Sequence, residues 1–193
     1  ERSCAIPQRV RPRLSGSLAT RGARPPPRLG RVFQSPAMSL TLTSPAFSHG
    51  GAIPPAHTCQ GAESSPPLAW SGIPAGTRSL ALIIDDPDAP DPATPKRVWV
   101  HWVLWDLPPE TTGLAEGVQS LPPGTQVGMN DMNDFGYGGP CPSIGKHRYF
   151  HKLYALDTVL GELEEPTKKR LLAAMEGHVL ATAELMGTYQ MSR

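Results

Sequence analysis

The hydrophobic and polar positions of this chain change rhythm along its length. In SLTLTS, residues 39–44, apolar and hydroxyl side chains alternate with period two, as a half-buried strand requires. SLALII, 79–84, is a continuous apolar run of strand length, suited to the middle of a sheet. VWVHWVLWD, 98–106, is apolar in both alternating rows, with Val98, Val100, Trp102 and Leu104 in one and Trp99, His101, Val103 and Trp105 in the other. A strand buried on both faces belongs between two layers. HRYFHKLYALD, 147–157, alternates again, with His147 and Tyr149 on one face and Phe150, Tyr154 and Leu156 on the other. Residues 50–70 read as loop with brief extended pieces. Only after Pro166 does the spacing turn helical. Leu172, Met175, Val179 and Ala183 within 167–185 predict one C-terminal helix. No internal repeat is present. The pattern predicts a β-rich sheet or sandwich with a covering helix.

Composition sharpens this in two places. The chain has 23 Pro and 19 Gly in 193 residues, which favours many turns and short strands over long helices. Charge divides it into two parts. Residues 1–37 hold eight of the 18 basic residues and one of the 17 acids, so residues 38–193 hold ten basic and 16 acidic groups. An acidic folded part argues against nucleic-acid binding. The leading segment lacks apolar periodicity and contains a PPP run, so it reads as a disordered Arg/Pro-rich extension before a domain at 38–193. Its Arg-rich, acid-poor make-up is also that of an organelle transit peptide, while a start at Met38 is the plainer reading. No apolar stretch approaches the ~20 residues of a membrane span. The expectation is a soluble cytoplasmic protein, or an organellar one if residues 1–37 are a transit peptide.

Most familiar enzyme signatures are missing. The chain has no HExxH, no GxxxxGK[ST] and no GxGxxG after a strand. Ser143 is not in a G-x-S-x-G elbow, because Cys141 stands at the first Gly position. His147 and His151, four apart on a strand, are separated by ~13 Å and do not share a metal. Cys4, Cys59 and Cys141 fit no zinc spacing. Cys59 and Cys141 are either buried thiols or one long-range disulfide, and an intracellular setting favours free thiols. Three groups remain: DDPDAP at 85–90, His101, and GGPCPSIGKHRYF at 138–150, where Gly and Pro stiffen a loop ahead of His147 and Tyr149. Each has a plain structural explanation, as a polar turn, a core histidine and a loop entering a strand.

Taken together, DPDAP, WVHWV and GGPCPSIGKHRY resemble the phosphatidylethanolamine-binding protein family, closest to its prokaryotic Raf-kinase-inhibitor-like branch. SPPLAW (65–70), GMND (128–131), LYALD (153–157) and GHVLATAELMGTY (177–189) extend the likeness from about residue 39 to the end. The resemblance implies a mainly β, β-sandwich-like fold with a C-terminal α-helix and short peripheral helices. It also implies a small pocket for a phosphate or phospholipid headgroup, with no cofactor, no metal and no catalytic residue. Carried over by motif, the pocket residues are Asp86, Pro90, Trp99, His101, Gly139, Pro140, His147 and Tyr149. The rigid loop would aim backbone N–H groups at an anion, with the histidines as further donors. Modulation of a kinase or protease is implied as it is for some relatives. The competing readings are a hydrolase using Asp86, His101 and His147 as acid–base groups, and a two-His-one-carboxylate metal site. Two positions depart from the family pattern: Ser143 replaces a frequent second Pro, and Gln60 replaces a frequent Asp.

Overall fold

A computed structural model describes residues 39–192; the expectation of a disordered extension at 1–37 lies outside them. Among the described residues, eight strands form two antiparallel sheets. β1 (Thr41–Thr43), β2 (Leu68–Ser71) and β5 (Gly113–Leu114) make a small sheet in the order β1-β2-β5. β3 (Ser79–Asp86), β4 (Trp99–Leu107), β6 (Gln126–Val127), β7 (His147–Leu156) and β8 (Val179–Tyr189) make the larger one, ordered β6-β4-β3-β7-β8. A 3-10 turn at Pro55–His57 and one α-helix, α1 (Lys168–Met175), complete the described elements.

The central strand β3 explains the layering. All eight of its residues are buried, and period two divides them. Leu80, Leu82 and Ile84 join Leu42, Trp70, Leu104, Tyr149, Leu153 and Leu185 in a core between the sheets. Ala81 and Ile83 join Val103, Trp105 and Leu156 in a second core, closed by Leu171 and Met175 of α1. This is a β-sandwich-like fold with a covering helix, as the pattern predicts.

β4 departs from simple alternation. Ile84 pairs with Trp102 while Asp85 pairs with Val100, so His101 is an extra residue opposite one step of β3. Trp102 and Leu104 therefore enter the inter-sheet core, whereas Val100, Val103 and Trp105 share the other. The two rows expected from the sequence exchange partners at this bulge. Strict alternation has no way to signal one inserted residue.

The C-terminal helix is shorter than 167–185. Thr167 caps it by accepting from the Arg170 N–H, and it ends at Met175, two residues before Gly177 at φ +81°. From Val179 the chain is β8, paired with β7 from Leu156↔Val179 to His147↔Tyr189. Of the residues at helical spacing only Met175 is buried; Leu172 and Val179 are 40% and 42% exposed. The helix buries Leu171 instead. Tertiary pairing with β7 and the glycine stop outweigh the local periodicity.

Cys59 and Cys141 form a disulfide, with Cα atoms 5.4 Å apart, which corrects the expectation of free thiols. The Cys59 N–H donates to the Pro140 carbonyl and so brings the two loops side by side. A separation of 82 residues hides this proximity from the sequence.

Candidate functional site

The site forms where three neighbouring strands end together. Asp86 closes β3, Trp99 and His101 open β4, and His147 and Tyr149 open β7. Asp86 continues the row of Leu82 and Ile84, and His147 and Tyr149 continue the row of Leu153. The polar cluster is therefore the open end of the inter-sheet core. The loops at 57–63 and 138–145, joined by the disulfide, wall it off and leave a cavity of about 310 Å³.

Seven of the eight residues expected from the motifs line this cavity: Asp86, Pro90, Trp99, His101, Gly139, His147 and Tyr149. Pro140 does not; its carbonyl accepts from Cys59. Arg97, Met132, Glu63, Ser143 and both disulfide cysteines line it as well. Of these, Arg97, Glu63 and Met132 do not stand out in the sequence. Arg97 lies in a Pro-flanked linker, and Glu63 and Met132 arrive from loops far away in the chain.

The carboxylates of DDPDAP are each committed. Asp86 Oδ1 accepts from the Asp88 N–H at 2.7 Å, and its Oδ2 accepts from His147 Nδ1 at 2.7 Å. His147 Nε2 donates to the Ile144 carbonyl at 2.9 Å. Both ring nitrogens thus face oxygen acceptors. Asp88 takes a forked pair of bonds from Arg148, and that guanidinium holds its carboxyl below the usual range. Asp85 points to the other face, where it meets Lys152 and Lys168.

His101 is arranged differently. Its Nδ1 donates to the Gly138 carbonyl at 2.7 Å, while Nε2 has no partner among the described residues. Burial holds this histidine below its ordinary value, against the weaker pull of the Gly138 carbonyl and Asp86. Neutral, it offers a lone pair at Nε2; protonated, it offers a donor. Tyr149 packs edge-on to it at 5.2 Å. Burial pushes the phenol up and keeps it protonated.

The loop does not aim its first N–H groups at the cavity. Gly138 donates to the His101 carbonyl, and Gly139 donates to Glu63 Oε1 at 3.0 Å. Glycine at 139 is a matter of space, because a Cβ there would sit 2.9 Å from Glu63 Cγ and 3.0 Å from the His57 carbonyl oxygen. At the mouth, the exposed Arg97 guanidinium lies 3.9 Å over the Trp99 ring. No carboxylate among the described residues pairs with it. The Trp99 indole N–H is turned away to Met132 Sδ.

This arrangement bears on the competing chemistries. His147 Nε2 is tied to a carbonyl and is not placed to take a proton from Ser143 or water. Among the described residues no group of three His, Cys, Asp or Glu side chains is placed to hold a metal. No helix among them is long and apolar enough to cross a membrane.

Residues 43–190 match the family profile described as phosphatidylethanolamine-binding protein. A UPF0098 protein of Methanothermobacter thermautotrophicus is 50% identical over 154 residues, covering 78% of this chain and 99% of that protein. One from Chlamydia muridarum is 50% identical over 151 residues with the same coverage of each. Among solved structures, a phosphatidylethanolamine-binding protein homolog of Chlamydia trachomatis is 46% identical, with a TM-score of 0.74 over 80% of this chain and 99% of that one. YbcL of Escherichia coli is 30% identical, with a TM-score of 0.71 at the same coverage. With the strand layout, the cavity and its motifs in place, the chain belongs to the phosphatidylethanolamine-binding protein family, in its prokaryotic branch.

Proposed function

We propose that the chain is a non-catalytic binding protein whose cavity takes a phosphate-bearing small molecule, such as a phospholipid headgroup. The observation that carries this is Arg97, a guanidinium held over the Trp99 ring at the cavity mouth with no carboxylate partner among the described residues. Arginine in that position offers forked donors to a phosphate. Deeper in, His101 presents an unpaired ring nitrogen and Tyr149 a protonated phenol. Asp86 and His147 play a supporting part, because their hydrogen-bonding groups are spent on each other, on Asp88 and on Ile144. The cavity size suits a headgroup and not a whole lipid. Glu63, exposed at the rim, adds an acceptor for an ammonium, which favours a zwitterionic ligand over a bare anion.

Calorimetric titration with glycerophosphoethanolamine, glycerol phosphate and inorganic phosphate tests this reading. Binding of the first should exceed that of the other two and fall about tenfold or more in Arg97→Ala, the loss of a charged hydrogen bond. Failure of all three to bind, or binding indifferent to Arg97→Ala and His101→Ala, would overturn it. A kinase or protease partner is the wider part of the same proposal and rests on the family alone. The likeness to a carboxypeptidase Y inhibitor, at 18% identity, is one of fold.

A further inference from the structure

We propose a second ligand site, sharing Glu63 with the first cavity, that takes a small uncharged aromatic molecule bearing a carbonyl acceptor. A second cavity of about 400 Å³ lies among β4, β6 and the loops at 62–65, 117–121 and 135–137. Apart from Glu63, no residue lines both cavities. Two unpaired donors belong to the lining of the second one. Ser65 and Trp102 both line it and are 6% and 3% exposed. The other three indole N–H groups of the chain each have a partner: Trp70 donates to the Thr111 carbonyl, Trp99 to Met132 Sδ and Trp105 to the Gly161 carbonyl. That of Trp102 has none among the described residues. The Ser65 hydroxyl likewise makes no hydrogen bond among them, whereas that of its neighbour Ser64 donates to the Ala56 carbonyl. Buried donors are nearly always paired, because a bare one has given up its hydration for nothing. A ligand that brings acceptors removes that penalty.

The rest of the lining sets the class of ligand. Trp102 and Tyr137 meet edge to face at 5.7 Å, and Phe135 adds a third, solvent-exposed ring. Val118, Leu121 and Val127 supply aliphatic surface. Such a lining favours a flat apolar body. Charge narrows the choice further. No Lys, Arg or His lines this cavity, and Glu63 is its one charged side chain. A phosphate or carboxylate would meet repulsion with no compensating cation. Burial keeps the Tyr137 phenol protonated, and its O–H is already directed to the His57 carbonyl. The acceptor is therefore uncharged, and a carbonyl oxygen offers two lone pairs to the two free donors. Glu63 is held at φ +54°, a strained setting for a residue with a Cβ, while its Oε1 accepts from the Gly139 N–H. It stands fixed between a cavity with an unpaired arginine and one that rejects anions.

Benzamide is the probe, with benzoate as its charged counterpart of the same shape. Proton NMR of the indole N–H signals of the full chain reads the binding. The Trp102 signal is identified by its loss in Trp102→Phe or, should that variant fail to fold, by cross-relaxation with the nearby Tyr137 ring. Benzamide should move that signal downfield, saturably at millimolar concentration, and leave those of Trp70 and Trp105 in place. Benzoate should bind about tenfold more weakly or worse. Ser65→Ala should weaken benzamide about fivefold, the worth of a neutral hydrogen bond. Absence of a saturable shift at Trp102, benzoate binding as tightly as benzamide, or binding indifferent to Ser65→Ala overturns the inference.

Discussion

His151 shows what burying one ionisable ring does to this protein. It lies on β7 in the row of Tyr149 and Leu153, 5.3 Å from the Phe47 ring, and burial pushes it down to about 4. The unfolded chain takes up a proton near 6.5, so between those values it binds more protons than the folded one. Stability is therefore full above about pH 6.5 and declines as the pH falls towards 4, by about 3 kcal/mol over the whole window. Denaturant melts at a series of pH values should show that slope in the wild type and a shallower one in His151→Leu. His101 is shifted in the same direction but sits at the cavity, so its proton is linked to ligand. A phosphodiester keeps its charge across this range and binds the protonated ring better. Its affinity should strengthen as pH falls below about 6.5, and His101→Gln should flatten the profile. An unchanged profile in that variant would place the titrating group elsewhere.

At the scale of elements, α1 and β4 show how a single position redirects a segment. Leu171 is fully buried against the sheet, while its neighbour Leu172 is 40% exposed. Leu171→Ala should cost about 2–5 kcal/mol by chemical denaturation, against roughly 0.5 kcal/mol or less for Leu172→Ala. A helix packed with the face expected from Leu172, Met175, Val179 and Ala183 would reverse the Leu172 result. In β4, the inserted His101 lets Trp99 and His101 share the cavity side while Trp102 still reaches the inter-sheet core. Without the bulge Trp102 would face the helix-covered core and Trp105 would take its place between the sheets.

At the scale of the molecule, the two cavity loops are held by one covalent link, the Cys59–Cys141 disulfide. Thiol titration in denaturant without reductant should find one thiol per chain, Cys4. Cys59→Ser with Cys141→Ser should lose about 2–5 kcal/mol, since the bond closes a long loop in the unfolded state. The same double variant should bind phosphate ligands more weakly, because both loops line the cavity. Much of this architecture was legible beforehand. Strand positions follow from apolar runs and period two, because burying one face of a strand is a local demand that each stretch of chain must answer by itself. The residues Asp86, Trp99, His101, His147 and Tyr149 could be picked out only through the family motifs, because a polar turn, a core histidine and a loop entering a strand each have a plain structural explanation when read alone. Which side chains meet is another matter. The pairing of Cys59 with Cys141, the arrival of Arg97, Glu63 and Met132 at the cavity, the closure of His147 onto Asp86 and Ile144, and the strand at 179–189 all depend on contacts between distant segments. Those contacts exist only once the sheets have closed, so tertiary packing alone decided them.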